Sequence, residues 1–337
     1  MAKPGPRNTL TDVAGLSVGC AEDARVLTGV TVIVPENRAV CAVDLRGGGP
    51  GTRETDALAP ENLVEAIDAL VLAGGSVYGL AAADGVVAAM GAEGKGFGFA
   101  DLPGVPRSPV VPAAILYDLA NGGNKNWAGA PPYAALGRAA YGARSDEVAL
   151  GNAGAGLGAL AGALKGGQGS ASVITEDGFT IGALACVNCW GSVLIPNSRA
   201  FWAHPFELEG EFGGVRPNTD APLDPEDWGA GKFNPQPRAN TTLALVAVDA
   251  ALNPAECKRV AQMASAGLAR AIRPVFAPFD GDVVFALATA AREAPVPRAL
   301  FVARAGALAA DCLARAIARG VYEAHSTGGF PGWRDLG

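Results

Sequence analysis

Residues 234–248 read NPQPRANTTLALVAV. A proline-interrupted connection ends at Asn240 and delivers Thr241 and Thr242 to the first residues of an apolar strand. Threonine suits strand starts, because its branched side chain packs well on a pleated surface, so the junction by itself reads as a linker entering a buried strand. A second reading follows if the chain is cut before Thr241. A threonine at a new N-terminus carries both a hydroxyl nucleophile and an α-amine whose ordinary pKa, about 7.7 to 8.0, lets it accept the hydroxyl proton. Before the cut, the same hydroxyl can attack the carbonyl of Asn240 and form an ester that water opens. The irregular segment ahead of it would supply strain first and a mobile new C-terminus afterwards.

A residue that carries its own base matters in this chain, which holds only two histidines, His204 and His325. Both lie in segments that read as periphery (FWAHPFE and YEAHSTGG), so a triad built on imidazole is the weaker expectation. The six cysteines are scattered except for Cys186 and Cys189 in CVNC; one CxxC without a second pair does not furnish a four-ligand zinc site. They read as buried free thiols in a reducing compartment, and no metal or organic cofactor is expected.

Composition excludes further classes. The 337 residues are half apolar, enough for a sizeable core, and the formal net charge is -7 with no run of five or more Lys/Arg, so neither nucleic acid nor another extended polyanion is expected as a partner. Apolar runs break before membrane-spanning length, for example at Asp84, and no apolar segment follows the lysine near the start. The expectation is a soluble, non-exported, cytoplasmic protein.

Along the chain, strands are expected at residues 11–21, 29–37 and 39–49, with helices over Pro60–Leu72 and Val77–Met90. A polar loop, YDLANGGNKNWAGAPPY, precedes a helix at 132–143, and strands resume within 170–177, 179–188 and 191–197. Residues 199–239 are rich in proline and lack periodicity, the longest irregular stretch. Beyond the opening strand, Asn253 caps a helix with Pro254 at its first position, DVVFALAT is a strand, and Arg298–Arg319 is an alanine-rich helix. This order suggests helices layered over sheets. The glycine loops RGGGPGTRETD (46–56) and LAGGSVYGL (72–80) match no phosphate cradle; they either shape a substrate pocket, with Gly74 and Gly75 as candidates, or form tight turns.

PRANTTLALVAVDA, followed some thirty residues on by AIRPVFAPFDGDVVFALAT, resembles the self-processing DmpA-type aminopeptidases and amidases (peptidase family S58), which include the nylon-oligomer hydrolases. DLRGGGPGTRETDAL, VLAGGSVYGL, VVPAAILYDL, GNAGAGLGA, LKGGQGSAS and CVNCWG carry the likeness over nearly the whole chain. The resemblance implies an α+β fold, a four-layer αββα sandwich shared with ornithine acetyltransferases. It also implies autocleavage into a large fragment, 1–240, and a small one, 241–337, which form one composite domain in a homo-oligomer, a tetramer.

Carried over residue by residue, Thr241 matches the nucleophile, Asn188 the oxyanion donor, Lys165 a lysine near the nucleophile, and Asp280 and Asp282 the pair that orients the threonine and its amine. Tyr117 matches a pocket phenol. The Asn240–Thr241 junction resembles the nylon-oligomer hydrolases, whereas RGGGPGTRETD is closer to the aminopeptidase branch. The expected activity is hydrolysis of amide bonds in small peptides, amino-acid amides or 6-aminohexanoate oligomers. An acyltransferase of the ornithine acetyltransferase type, or a non-enzymatic binding protein on the same scaffold, are the alternatives.

Overall fold

The structure, a computed structural model of the intact chain, describes residues 2–98, 102–218, 223–232 and 240–336. Two sheets stack face to face with helices on both outer faces. The first sheet runs β1 (Leu16–Asp23), β2 (Thr28–Pro35), β6 (Leu70–Ala73), β7 (Ala113–Ile115), β4 (Thr52–Arg53). The second runs β10 (Gly167–Ile174), β11 (Thr180–Asn188), β12 (Thr241–Ala250), β13 (Val283–Arg292), β3 (Ala39–Leu45), β5 (Ala66–Ile67). A short ribbon, β8 (Leu160–Ala161) with β9 (Leu164–Lys165), stands apart.

The segment quoted at the outset explains why a strand can be apolar throughout. β12 is buried at all ten positions and lies between β11 and β13, so both of its faces need cover. Leu243, Leu245 and Ala247 enter the core between the sheets, beside Leu184, Phe285, Ile33 and Leu72. Ala244, Val246, Val248 and Ala250 enter the outer core, beside Leu313 and Ile317. Strand alternation therefore points Thr241 toward the inter-sheet space and Thr242 toward the helices.

The outer helices of the second sheet are α3 (Pro254–Ala264), α4 (Ala266–Ala271) and α5 (Arg298–Tyr322). α3 starts as its sequence requires: the Asn253 side chain accepts from Glu256 N–H at 2.9 Å, the Glu256 carboxylate accepts from Asn253 N–H at 3.0 Å, and Pro254 fills the first helical position. On the first sheet, α1 (Ala82–Ala92) and α2 (Tyr133–Gly142) cover Val30, Val32 and Val71. The expected αββα order is the one found.

One expected helix is absent. Pro60–Leu72 contains β5 and the start of β6, because AIDALVLA is a continuous apolar run rather than one face of a helix. Leu70–Ala73 pairs with β2 on one side and β7 on the other, and all four residues are buried. The strand expected within 191–197 is reduced to isolated bridges at Ser192 and Leu194.

In the irregular stretch, residues 199–218 and 223–232 fall among those described, and they are anchored. Phe201 and Phe212 pack edge to face in the core, and buried Glu211 accepts from Arg315 of α5 at 2.5 Å. Residues 233–239, which carry the connection into Asn240, lie outside the described residues.

Candidate active site

The antiparallel register of β11 and β12 places Asn188 directly opposite Thr241. Both are strand ends, so the ladder stops where their side chains meet the inter-sheet space. Asn240, one residue earlier, bridges Asp280 in parallel, and its carbonyl accepts from Gly281 N–H at 2.8 Å. The Thr241 hydroxyl donates to that same carbonyl at 2.5 Å. Two donors thus converge on the oxygen of the peptide bond that precedes the threonine, and an N–H aimed at such an oxygen is the element that stabilises a tetrahedral intermediate.

Gly281 has to be glycine for reasons of space. A Cβ there would lie 2.5 Å from the Thr241 Oγ1 and 3.0 Å from the Gly49 carbonyl. The loop that packs against it is the first glycine run: Gly49 N–H donates to Asp280 O at 2.7 Å, and Arg46 and Gly47 N–H donate to Asp282 O at 3.1 and 3.2 Å. A Cβ on Gly47 would sit 2.4 Å from the Asp280 carbonyl and the Asp282 nitrogen. RGGG therefore serves close backbone approach, gripping the FDGD turn from behind.

Asp280 and Asp282 are both buried. Asp282 accepts from Thr242 N–H at 2.7 Å and Phe276 N–H at 3.2 Å; Asp280 accepts from Ala277 N–H at 3.1 Å. Their contacts therefore hold the backbone around the nucleophile. Burial, and for Asp282 also the neighbouring Asp280 carboxylate, raises both above the usual carboxylate range.

The Asn188 amide has its orientation fixed by partners. Its Oδ1 accepts from Leu160 N–H at 2.9 Å and from Asn121 Nδ2 at 3.2 Å, while its Nδ2 donates to the Tyr117 carbonyl at 3.0 Å. Tyr117, half-buried just after β7, thus reaches the site through its backbone oxygen.

Lys165 stands one layer further back. Its ammonium donates to the carbonyls of Gly156, Ala159 and Gly166 at 2.9, 3.0 and 2.6 Å, and burial pushes its pKa down to about 7, opposed by the Asp118 carboxylate. It orders the turn whose next residue, Leu160, holds Asn188. Asp118 in turn accepts from Thr28 Oγ1 at 2.6 Å and Gly75 N–H at 2.8 Å. Gly74 and Gly75 are held to glycine by this packing: a Cβ on Gly74 would meet Asp118 Oδ2 at 2.1 Å, and Gly75 has φ 84° with the Tyr133 ring 2.0 Å from a built Cβ. The close-packed turn is thus the reading that the geometry of this pair supports.

Lys232 was not singled out in the sequence, yet it bonds to the residue before the threonine, whereas Lys165 bonds to Gly156, Ala159 and Gly166. Its ammonium donates to Asn240 Oδ1 at 3.0 Å and reaches Asn188 Oδ1 at 3.5 Å, and burial lowers its pKa to about 8. Asp118, Asn121 and Gly281 were missed with it. Each sits in a stretch without periodicity, and the one available signal was FDGD, where two acids flank a glycine.

Four buried polar atoms around this junction find no hydrogen-bond partner among the described residues: Asn240 Nδ2, Thr242 Oγ1, Asp280 Oδ1 and Trp190 Nε1. In a buried setting such atoms cost free energy unless something else occupies them. His325 is exposed and His204 is half-buried in a peripheral turn. Five of the cysteines are buried free thiols and Cys20 is half-buried. No group of His, Cys, Asp and Glu side chains among the described residues is arranged to hold a metal, and none of the described helices is long and apolar enough to cross a membrane.

The solved structures that share this architecture include a β-aminopeptidase from Burkholderia sp., with a TM-score of 0.71, 22% identity and coverage of 98% of this chain and 91% of that one. The L-aminopeptidase D-Ala-esterase/amidase of Ochrobactrum anthropi, described as a variant of the Ntn hydrolase fold, also has a TM-score of 0.71 at 22% identity over 98% and 90% of the two chains. In sequence, an uncharacterized aminopeptidase of Mycobacterium tuberculosis is 46% identical over 98% of each chain. A 6-aminohexanoate-oligomer endohydrolase of Kocuria sp. is 31% identical over 84% of this chain and 76% of the relative. These relatives are hydrolases by name, so the acyltransferase and binding-protein alternatives gain no support. The model for "Peptidase family S58" matches residues 8–334. The chain therefore belongs to peptidase family S58 and is an amidohydrolase on the N-terminal-nucleophile type of αββα fold.

Proposed function

We propose that the chain cuts itself between Asn240 and Thr241 and that Thr241 then hydrolyses amide bonds of small peptides, amino-acid amides or 6-aminohexanoate oligomers through an acyl ester. The observation that carries this reading is the Thr241 hydroxyl at 2.5 Å from the Asn240 carbonyl oxygen, with Gly281 N–H on the same oxygen. In the first step Oγ1 bonds to the Asn240 carbonyl carbon, the C–N bond breaks, and the hydroxyl proton ends on the freed Thr241 nitrogen. Water then opens the ester, leaving a carboxylate on Asn240 and an amine beside the regenerated hydroxyl. In turnover the same amine accepts the hydroxyl proton, Asn188 Nδ2 donates to the oxyanion, and Asp280 and Asp282 hold the segment that carries the nucleophile.

Denaturing electrophoresis should show fragments 1–240 and 241–337, the smaller at about 10 kDa, and its N-terminal sequence should begin TTLAL. A fully active single chain after long incubation overturns the mechanism. Exposed apolar side chains at Leu63, Val77, Phe97 and Leu102 support packing between copies. The reading includes a cytoplasmic tetramer, for which light scattering should give several times the mass of one chain.

A further inference from the structure

In the uncut chain Asn240 is itself the acyl residue of the bond that Thr241 attacks: the Thr241 hydroxyl meets its carbonyl oxygen at 2.5 Å, and Gly281 N–H donates to the same oxygen at 2.8 Å. The same hydroxyl attacks in turnover, so the Asn240 side chain stands where the side chain of a substrate's acyl residue comes to lie. Asn240 is fully buried, which makes that place an enclosed one. The groups around it are therefore a template of what turnover can select.

One contact there is specific. The Lys232 ammonium donates to Asn240 Oδ1 at 3.0 Å, whereas its other acceptors, the Asn188 carbonyl oxygen and Oδ1, stand at 3.4 and 3.5 Å. A hydrogen bond from a charged donor is stronger than one between neutral groups, and it gains further where water is excluded. Asn240 Nδ2 finds no partner among the described residues. The oxygen on the γ carbon, rather than the amide nitrogen, is what these contacts recognise.

Lys232 has anchors of its own. Its N–H donates to Trp190 O at 2.9 Å, just past the end of β11, and two residues earlier Ala230 O accepts from Ala163 N–H at 2.7 Å, in the turn between β8 and β9. Neither bond involves Asn240, so the lysine keeps its place when Asn240 gives way to a substrate. Its ammonium then loses its shortest acceptor and retains the two longer ones, and an acyl residue that puts an oxygen back at that point restores the bond. On its open side Lys232 lines, with Trp190 and Trp228, a cavity of about 400 Å³, a space that admits a small amide.

We infer that Lys232 is a specificity-determining residue of turnover: its ammonium selects acyl residues whose γ carbon carries a hydrogen-bond-accepting oxygen, as asparagine does, over residues of the same shape without one, such as leucine. This rests on the amidase reading above. Leucine matches asparagine atom for atom as far as the branched γ carbon and lacks only the polar ends. A preference between the two therefore reports the oxygen contact and nothing else about the acyl group.

The test uses the purified protein as it matures, with asparaginyl and leucyl p-nitroanilides, which share amine and leaving group. In the wild type kcat/KM for the asparaginyl substrate should exceed that for the leucyl one about tenfold or more, and in Lys232→Met the ratio should fall toward one. Lys232→Arg, which keeps a charged donor, should retain part of the preference. The cut itself is a second arm that needs no added substrate. Followed by electrophoresis from cell-free synthesis onward, Asn240→Leu should cut about tenfold or more slower than the wild type, and adding Asn240→Leu to Lys232→Met should slow that variant no further. A wild-type ratio near one, a ratio that survives Lys232→Met, or Asn240→Leu cutting at the wild-type rate overturns the role of Lys232 and leaves the amidase reading in place. Cutting that depends on Asn240 and Lys232 together, with neither anilide hydrolysed, keeps the contact and overturns the amidase reading.

Discussion

Two polar regions meet at Asn188 and differ in how completely they are satisfied. Behind it, Lys165 spends its ammonium on three carbonyls, Asp118 accepts from Thr28 and Gly75, and Asn121 donates to Gly158 O as well as to Asn188. In front of it, Asn240 Nδ2, Thr242 Oγ1, Asp280 Oδ1 and Trp190 Nε1 are buried without partners among the described residues, and two donors crowd one carbonyl oxygen. The difference separates scaffold from site. The back network, in which the Tyr133 hydroxyl is the atom left without a partner among the described residues, fixes geometry, whereas the less saturated front keeps several buried polar atoms unpaired next to a nucleophile. Burial does not distinguish the regions, since Lys165 and Lys232 both have depressed pKa values from desolvation. Partner lists do.

The largest effect should come from the front region. Thr241→Ala removes the hydroxyl and should abolish cutting and lower turnover by about 10⁴-fold or more, while Thr241→Ser should retain part of each. Thr242 alternates to the helix side of β12, so Thr242→Ala should still cut and turn over. Electrophoresis and amide hydrolysis measured side by side check the pair. Inactive Thr242→Ala with active Thr241→Ala would reverse the assignment of the strand's faces and break the contrast outright.

Gly281 sharpens the comparison at its most crowded point. Gly281→Ala places a methyl 2.5 Å from the Thr241 Oγ1, so either the hydroxyl or the N–H that polarises the Asn240 carbonyl must shift. Its φ lies outside the left-handed region, so alanine brings no backbone strain of that kind. The expectation is cutting slowed by about 10²–10³-fold, the usual loss for one oxyanion donor, in a chain that remains folded by circular dichroism. Cutting at the wild-type rate would mean that the Gly281 contact is incidental.

Much of the front region was legible in the sequence, and less of the back. A ten-residue strand with strict alternation between two cores announces itself through apolar content alone, and Asn253–Pro254 marks the following helix through capping chemistry. The same content misled at Pro60–Leu72, because a short apolar run fits a buried helix and a central strand equally well until its partners are known. Lys165 was matched to the nucleophile by the position of LKGGQG, but position along the chain does not say which carbonyls an ammonium finds. Lys232, in a stretch with neither periodicity nor charge pattern, became visible only once Asn240 and Asn188 were seen on either side of its ammonium.

The smallest effect separates the two lysines by pH. A buried lysine whose pKa is lowered in the native state gives up its proton at a lower pH than it does in the unfolded chain, where its pKa is about 10.4. Stability is therefore penalised fully below the folded pKa and recovers as pH rises through the window above it. For Lys165 that window opens at about 7, and for Lys232 at about 8. In the uncut Thr241→Ala background, urea unfolding at pH 6, 7 and 8 should show Lys165→Met flattening the profile between 7 and 8. The slope it loses relative to its parent should approach about 1 kcal/mol per pH unit. Lys232→Met should lose slope as well, in a window that lies somewhat higher. Lys165→Met also leaves the carbonyls of Gly156, Ala159 and Gly166 without their shared donor, so its absolute stability should fall at every pH; the slope, which a packing defect does not move, is the quantity that decides. An unchanged slope in Lys165→Met would show that its cage keeps the ammonium charged through this interval, and the contrast between the regions would then rest on hydrogen-bond satisfaction alone.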